Sequence, residues 1–419
     1  MKWMLFVALA ACGDNAGPAG SFEIVGYSDL GARGMSSALA IYQDTVYVGS
    51  RIDNQPVLIV DVSDPAAPAV VGQIGAPDEG LPGMSSRELR VVPDLNLLVV
   101  LNLQCSPDLH GCVDTRSEQE NLKFYDLADP HAPVLVGTYN FTAPPLKPRS
   151  PHEFFIDGHR ALVSVPGVGA QLEIIDVETR TQLLAWDPGL GNTGDDILHS
   201  VATNADGTVA YLSHQTGGLA LADLTQSPPT IVGEPLHLPG MGPHSAVQAP
   251  GRPLLVVTEE VYPMPYGAGC PWGHLRTVDI SDASAPVVAG EYALPEQDPA
   301  QCGSVAPLTA FTAHNATVTH DLALVTWYAG GLQAIDISDP ARPFQLAELR
   351  PEPLPHVTTE DPGLGGNKIE MWSYPIIDDG LIYVVDVRNG LYVLRYHGRW
   401  AEQILATPFA EGNSTRTLR

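Results

Sequence analysis

The chain has 419 residues, with 48 acidic against 21 basic side chains, and its net charge of −27 repels nucleic-acid phosphates and anionic headgroups. No local basic cluster offsets that charge, so a nucleic-acid-binding role is excluded. With 44% hydrophobic and only 16% charged residues, 40 glycines and 38 prolines, the composition suits many short strands joined by tight turns.

In chain order, the first segment carries one positive charge at Lys2, an apolar run from Trp3 to Leu9, and the small residues Ala10 and Ala11 before Cys12. That is the pattern of a secretion signal, too short to span a bilayer. Leu9-Ala10-Ala11-Cys12 resembles the bacterial lipobox, which implies cleavage before Cys12 and acylation of that residue. The expectation is therefore a signal peptide over 1–11, a flexible tether over 12–21, and an extracytoplasmic protein whose membrane partner is its own lipid anchor. Gly13 rather than aspartate follows Cys12, which favours the outer membrane.

From residue 58 onward one pattern recurs. Leu58-Ile-Val-Asp61-Val-Ser-Asp64-Pro65 is followed by counterparts ending at Asp126, Asp176, Asp223, Asp279 and Asp336, and by a degenerate seventh, Leu391-Tyr-Val-Leu-Arg395. The equivalent positions lie 65, 50, 47, 56, 57 and 59 residues apart, room for about four strands with loops in each unit. The runs resemble the LVIVD repeat family. Asp-Val-Ser-Asp-Pro between two strands has turn chemistry, with short carboxylates bonding to nearby backbone and proline fixing φ, so these aspartates read as structural.

The expected fold is all-β: a seven-bladed propeller of four-stranded blades over 22–397, followed by a polar tail over 398–419. The seventh unit lacks a final strand, and Phe22-Glu-Ile-Val-Gly-Tyr27 matches what is missing, so this segment is predicted to close the ring. Setting Cys12 aside leaves Cys105, Cys112, Cys270 and Cys302, an even number bound for an oxidising compartment. All four fall in loops of one face, which motivates pairing Cys105 with Cys112 and Cys270 with Cys302.

Aligning the innermost strands puts Ser37, Arg87, His152, His199, His244, His314 and Trp372 at one register. Four histidines among seven positions is far above chance for a chain holding 13 in 419 residues. Neutral imidazoles converging on the channel mouth point to copper, zinc or iron, with Glu88, Glu153, Glu259, Glu260 or Asp386 supplying oxygen and His214 and Asp196 nearby. The competing reading is a structural ring in which each histidine bonds the adjacent blade's backbone. The architecture and the histidine ring are also similar to the selenium-binding protein family, which includes copper-dependent methanethiol oxidases, although no motif of that family matches here.

Other chemistries fail at the motif level. Gly363-Leu-Gly-Gly366 does not sit between a strand and a helix, so it is no phosphate loop, and Ser213-His214 lacks a nucleophile elbow. Two functions stay open. The first is a monomeric binding module whose loop face takes a small ligand, a metal or a protein; the second is a metal-dependent oxidase or hydrolase using the four histidines.

Overall fold

Each Leu-containing repeat forms a strand whose alternate side chains are apolar, and it pairs antiparallel with the strand before it and the Val-rich strand after it. A fourth strand at the axis completes the sheet, giving seven four-stranded blades over 36–74, 84–140, 153–186, 198–236, 245–292, 316–349 and 376–398. This computed structural model describes residues 20–75, 82–113, 119–141, 151–166, 169–191, 197–240, 242–365, 368–412 and 414–415. Cys12, the predicted signal peptide, most of the tether and Asp196 lie outside them. Among the described residues no helix is long and apolar enough to cross a membrane.

The core lies between neighbouring blades, as the flat faces of stacked sheets require. One cluster joins blades 1 and 2 through Ala38, Tyr47, Ile59, Leu89 and Leu98, and another joins blades 7 and 1 through Leu39, Val46, Val385 and Val393. The repeated aspartates are the turns expected of them. Asp61, Asp223, Asp279 and Asp336 each accept the backbone N–H two residues ahead at 2.8 Å. In the degenerate seventh unit the strand Gly390–Gly398 runs straight through Arg395 to its outer partner from the other end of the chain, so no turn is needed there.

The predicted closure is present. Gly20–Ser28 pairs antiparallel with Gly390–Gly398, from Gly20 opposite Gly398 to Ser28 opposite Leu391. Glu23 accepts from His397 at 2.8 Å and lies 3.5 Å from Arg395. Gly26 occupies the place that Gly290 takes in blade 5: a Cβ on Gly26 would sit 2.0 Å from the Pro65 carbonyl, and one on Gly290 would sit 2.3 Å from that of Pro340. The outer strand of each of these blades thus approaches the next blade's Asp-Pro turn too closely for any side chain.

Of the stretch 398–419 expected as a polar tail, the described residues 398–412 and 414–415 are instead part of the fold. A short helix, Ala401–Leu405, buries Ile404 against Leu394 and Ile377. The strand Phe409–Glu411 then adds to the axial edge of Ile376–Asp378 in blade 7. Ser414–Thr415 next pairs in parallel with Ile156 and Asp157 of blade 3, so the segment crosses the channel. It does so at the end remote from the histidine register, beside a cavity of about 800 Å³ that it helps line. The segment repeats nothing elsewhere in the chain, which is why a reading based on periodicity passed over it.

Cys105 pairs with Cys112 and Cys270 with Cys302, at Cα separations of 5.9 and 5.8 Å. The second bridge spans 32 residues, and loop-closure entropy for that span gives an expected loss of about 3–4 kcal/mol on replacing both cysteines with serine. Urea unfolding of C270S/C302S under non-reducing conditions measures it.

Candidate metal centre at the channel mouth

The register residues stand at the start of the axial strands, where the ladder is irregular. Arg87 and His199 sit at bulges between Ser86 and Glu88 and between Leu198 and Ser200, and the extra residue turns a side chain out of the sheet toward the axis. His152, His244 and His314 hold equivalent places, their backbone N–H groups donating to the carbonyls of Ser164, Thr258 and Thr326 at 2.9, 2.7 and 2.9 Å.

The blades are tied together here by backbone and hydroxyl groups. Ser37, Ser164 and Thr326 donate to the carbonyls of Arg87, His199 and Trp372 in the next blade at 2.9, 2.7 and 3.0 Å, and Thr258 donates to that of His314. The His314 imidazole bonds a neighbouring blade's backbone, through Nδ1 to the Trp372 carbonyl at 2.5 Å, and the His314 backbone is in turn a hydrogen-bond partner of the His244 imidazole. Among the described residues His152 and His199 show no such bond.

Instead the imidazoles converge. Ring centroids of His152 and His199, His199 and His244, and His244 and His314 are 4.2, 3.9 and 4.0 Å apart. His152 Nε2 is 2.8 Å from His199 Nε2. Around Glu260, Nε2 of His199, His244 and His314 lie at 3.7, 3.6 and 3.2 Å from a carboxylate oxygen. Ligands at adjacent positions on a metal with bonds of about 2.0–2.1 Å are themselves about 2.9–3.4 Å apart; the 3.2 Å contact of His314 falls in that range, and the 3.6 and 3.7 Å contacts of His244 and His199 lie just beyond it. One ligand atom each from His199, His244 and Glu260 falls within 4.8 Å of the others, all three residues buried. Among the described residues His199 Nδ1 has no hydrogen-bond partner.

Electrostatics match that use. Burial pushes His152 down to about 3 and, together with the neighbouring imidazoles, holds His199 and His244 well below the ordinary value. Burial alone would raise the Glu260 carboxyl, but His314, through its charge and hydrogen bond, does most to hold it well below the usual carboxylate range. Tyr328 donates to Glu260 through its hydroxyl.

Of the other carboxylates proposed, Glu88 pairs with Arg90 at 3.2 Å, Glu259 pairs with Arg276, and Asp386 accepts the backbone N–H groups of Glu370, Arg388 and Asn389. Glu153 is buried beside His152 with its carboxyl held well above the usual range by burial and by Glu88. His214 is drawn into its own turn, its Nδ1 accepting from Gly217 N–H at 2.8 Å. Arg87 lies over the Trp372 ring at 5.1 Å.

The family model of the LVIVD repeat matches residues 33–75, 270–293 and 313–347, in blades 1, 5 and 6. The chain carries LVIVD repeats. In this LVIVD-repeat propeller the matched segments 33–75 and 313–347 run from an axial strand to an outer one and carry Arg51, His314 and Tyr328, whereas His152, His199, His244 and Glu260 lie outside the matched segments. No curated protein matches the chain.

Sequence reasoning missed the network that backs the centre. Arg51 Nη1 is 2.9 Å from Glu370, Arg51 Nη2 lies 3.5 Å from the Tyr262 hydroxyl, and that hydroxyl lies 3.4 Å from the one on Tyr328. Asp361 joins Arg51 to His110, whose Nδ1 it meets at 3.2 Å. Burial and the Arg51 charge push His110 down to about 4 from its ordinary 6.5. Between those values the unfolded chain takes up a proton that the folded chain refuses, so this contribution to stability is whole at pH 7 and is lost as pH falls through the window. On going from pH 7 to 5, wild type should lose about 2 kcal/mol more than His110→Gln in urea unfolding.

Proposed function

We propose that this protein is a binding propeller of the bacterial envelope, held by acylated Cys12, whose channel mouth binds a transition metal through His152, His199, His244, His314 and Glu260. The observation that carries the reading is the convergence of the buried imidazoles of His199, His244 and His314 on the Glu260 carboxylate, with ligand atoms of His199, His244 and Glu260 all within 4.8 Å of one another. A mixed imidazole and carboxylate set suits copper, zinc or iron. The two disulfides and the lipobox-like start support the extracytoplasmic placement.

Metal analysis of untagged protein tests it. About one copper, zinc or iron per chain is expected, falling to background in the variant with His199 and His244 both changed to alanine; metal-free wild type after incubation with each ion rejects the reading. Radiolabelled palmitate incorporation, lost in Cys12→Ala, checks the anchor.

A further inference from the structure

The register residue beside the histidines has no carboxylate of its own. Arg87 is half-buried in a chain with an excess of acid, yet among the described residues it forms no ion pair, whereas the neighbouring arginines are all matched: Arg51 with Glu370 and Asp361, and Arg90 with Glu88 and Glu411. Its guanidinium lies against Trp372, 5.1 Å from the ring centroid, and Arg51 lies against the same ring at 5.0 Å. Trp372 in turn is in contact with His314, with centroids 5.3 Å apart, so the cation is held at the edge of the imidazole cluster. Among the described residues the buried indole Nε1–H of Trp372 has no partner.

The Arg87 guanidinium stands beside the imidazole cluster with no carboxylate paired to it among the described residues, so a divalent ion on the imidazoles would set a second positive charge next to it in a poorly hydrated place, a cost that an added anion removes. Guanidinium is the side chain best matched to a carboxylate or similar planar oxyanion, through two parallel N–H donors.

We propose that Arg87 is the anchor of an anion subsite, so that the channel mouth takes a small carboxylate or oxyanion beside the bound metal. The inference rests on the metal reading above. Arg87 recognises the anion and Trp372 fixes the plane of its guanidinium; neither ligates the metal.

The test uses the full-length protein loaded with copper(II), with acetate as probe, followed by the change in the copper d–d absorption and electron paramagnetic resonance spectra. Copper stoichiometry is measured first, on wild type, Arg87→Gln and Arg87→Lys. All three are expected to hold about one copper per chain. Wild type should bind acetate saturably, Arg87→Gln about tenfold or more weakly, and Arg87→Lys in between, since a point charge restores attraction without the paired donors. Full copper loading with equal acetate affinity in wild type and Arg87→Gln overturns the anion subsite and leaves the metal centre standing. Failure of wild type to hold copper, zinc or iron overturns both.

Discussion

A chain ending at Arg399 is expected to unfold about 3–5 kcal/mol more easily than the full protein, the size of effect that follows from losing a buried aliphatic side chain together with one partner of a buried ion pair. Three losses combine. Ile404 leaves its pocket among Leu394, Ile377 and Tyr396. Arg90, fully buried, loses its 3.1 Å contact with Glu411 and keeps Glu88 and the Leu89 carbonyl. The axial edge of Ile376–Asp378 loses the ladder to Phe409–Glu411 and is left as an open edge in the channel. Gly412 offers a finer probe: its N–H donates to Thr317 Oγ1 at 2.9 Å, and a Cβ there would fall 1.8 Å from the Ala316 carbonyl. Gly412→Val should therefore dislodge the crossing segment while sparing the helix, with a smaller loss. Urea midpoints of the three proteins decide the matter, and an unchanged midpoint in the chain ending at Arg399 would show that the crossing segment adds nothing to the ring.

What could be read from sequence was what the molecule repeats. The Asx turn at Asp61 recurs at Asp126, Asp176, Asp223, Asp279 and Asp336 because the outer hairpin of each of those six blades needs it, and the histidine register stood out because four of seven blades place the same side chain at one structural position. The closing strand was legible for the same reason, as a displaced copy of a known part. What occurs once left no such trace. Glu260 was one of five candidate carboxylates, and only the path of the 259–274 loop sets it against the imidazoles. Arg51, Tyr262 and Tyr328 meet behind it from three blades, an arrangement that depends on ring closure and on no local spacing.

That unrepeated network is where a single substitution should act most strongly. Arg51 is fully buried, and its guanidinium faces Glu370 at 2.9 Å and Asp361 at 3.7 Å. Arg51→Ala would leave the Asp361 carboxylate, held below its usual range by the His110 hydrogen bond and the Arg51 charge even though burial opposes this, without its cation. Removing one partner of such a buried set costs about 3–5 kcal/mol, mostly as the penalty on the charge left behind. Burial already drives the Glu370 carboxyl well above its usual range, so this group can escape the penalty by taking a proton, and the Arg51→Ala loss should shrink toward low pH. Pairing Arg51→Met with Asp361→Asn removes both charges, and the double variant should recover most of what the single Arg51→Met change loses. A double-mutant cycle in urea measures that coupling; strict additivity would mean that the two groups do not stabilise one another. The hydroxyl chain from Arg51 through Tyr262 and Tyr328 ends on Glu260, so the same Arg51 variants should also hold metal less tightly, by about tenfold or more, as expected when a group that orients a ligand is lost.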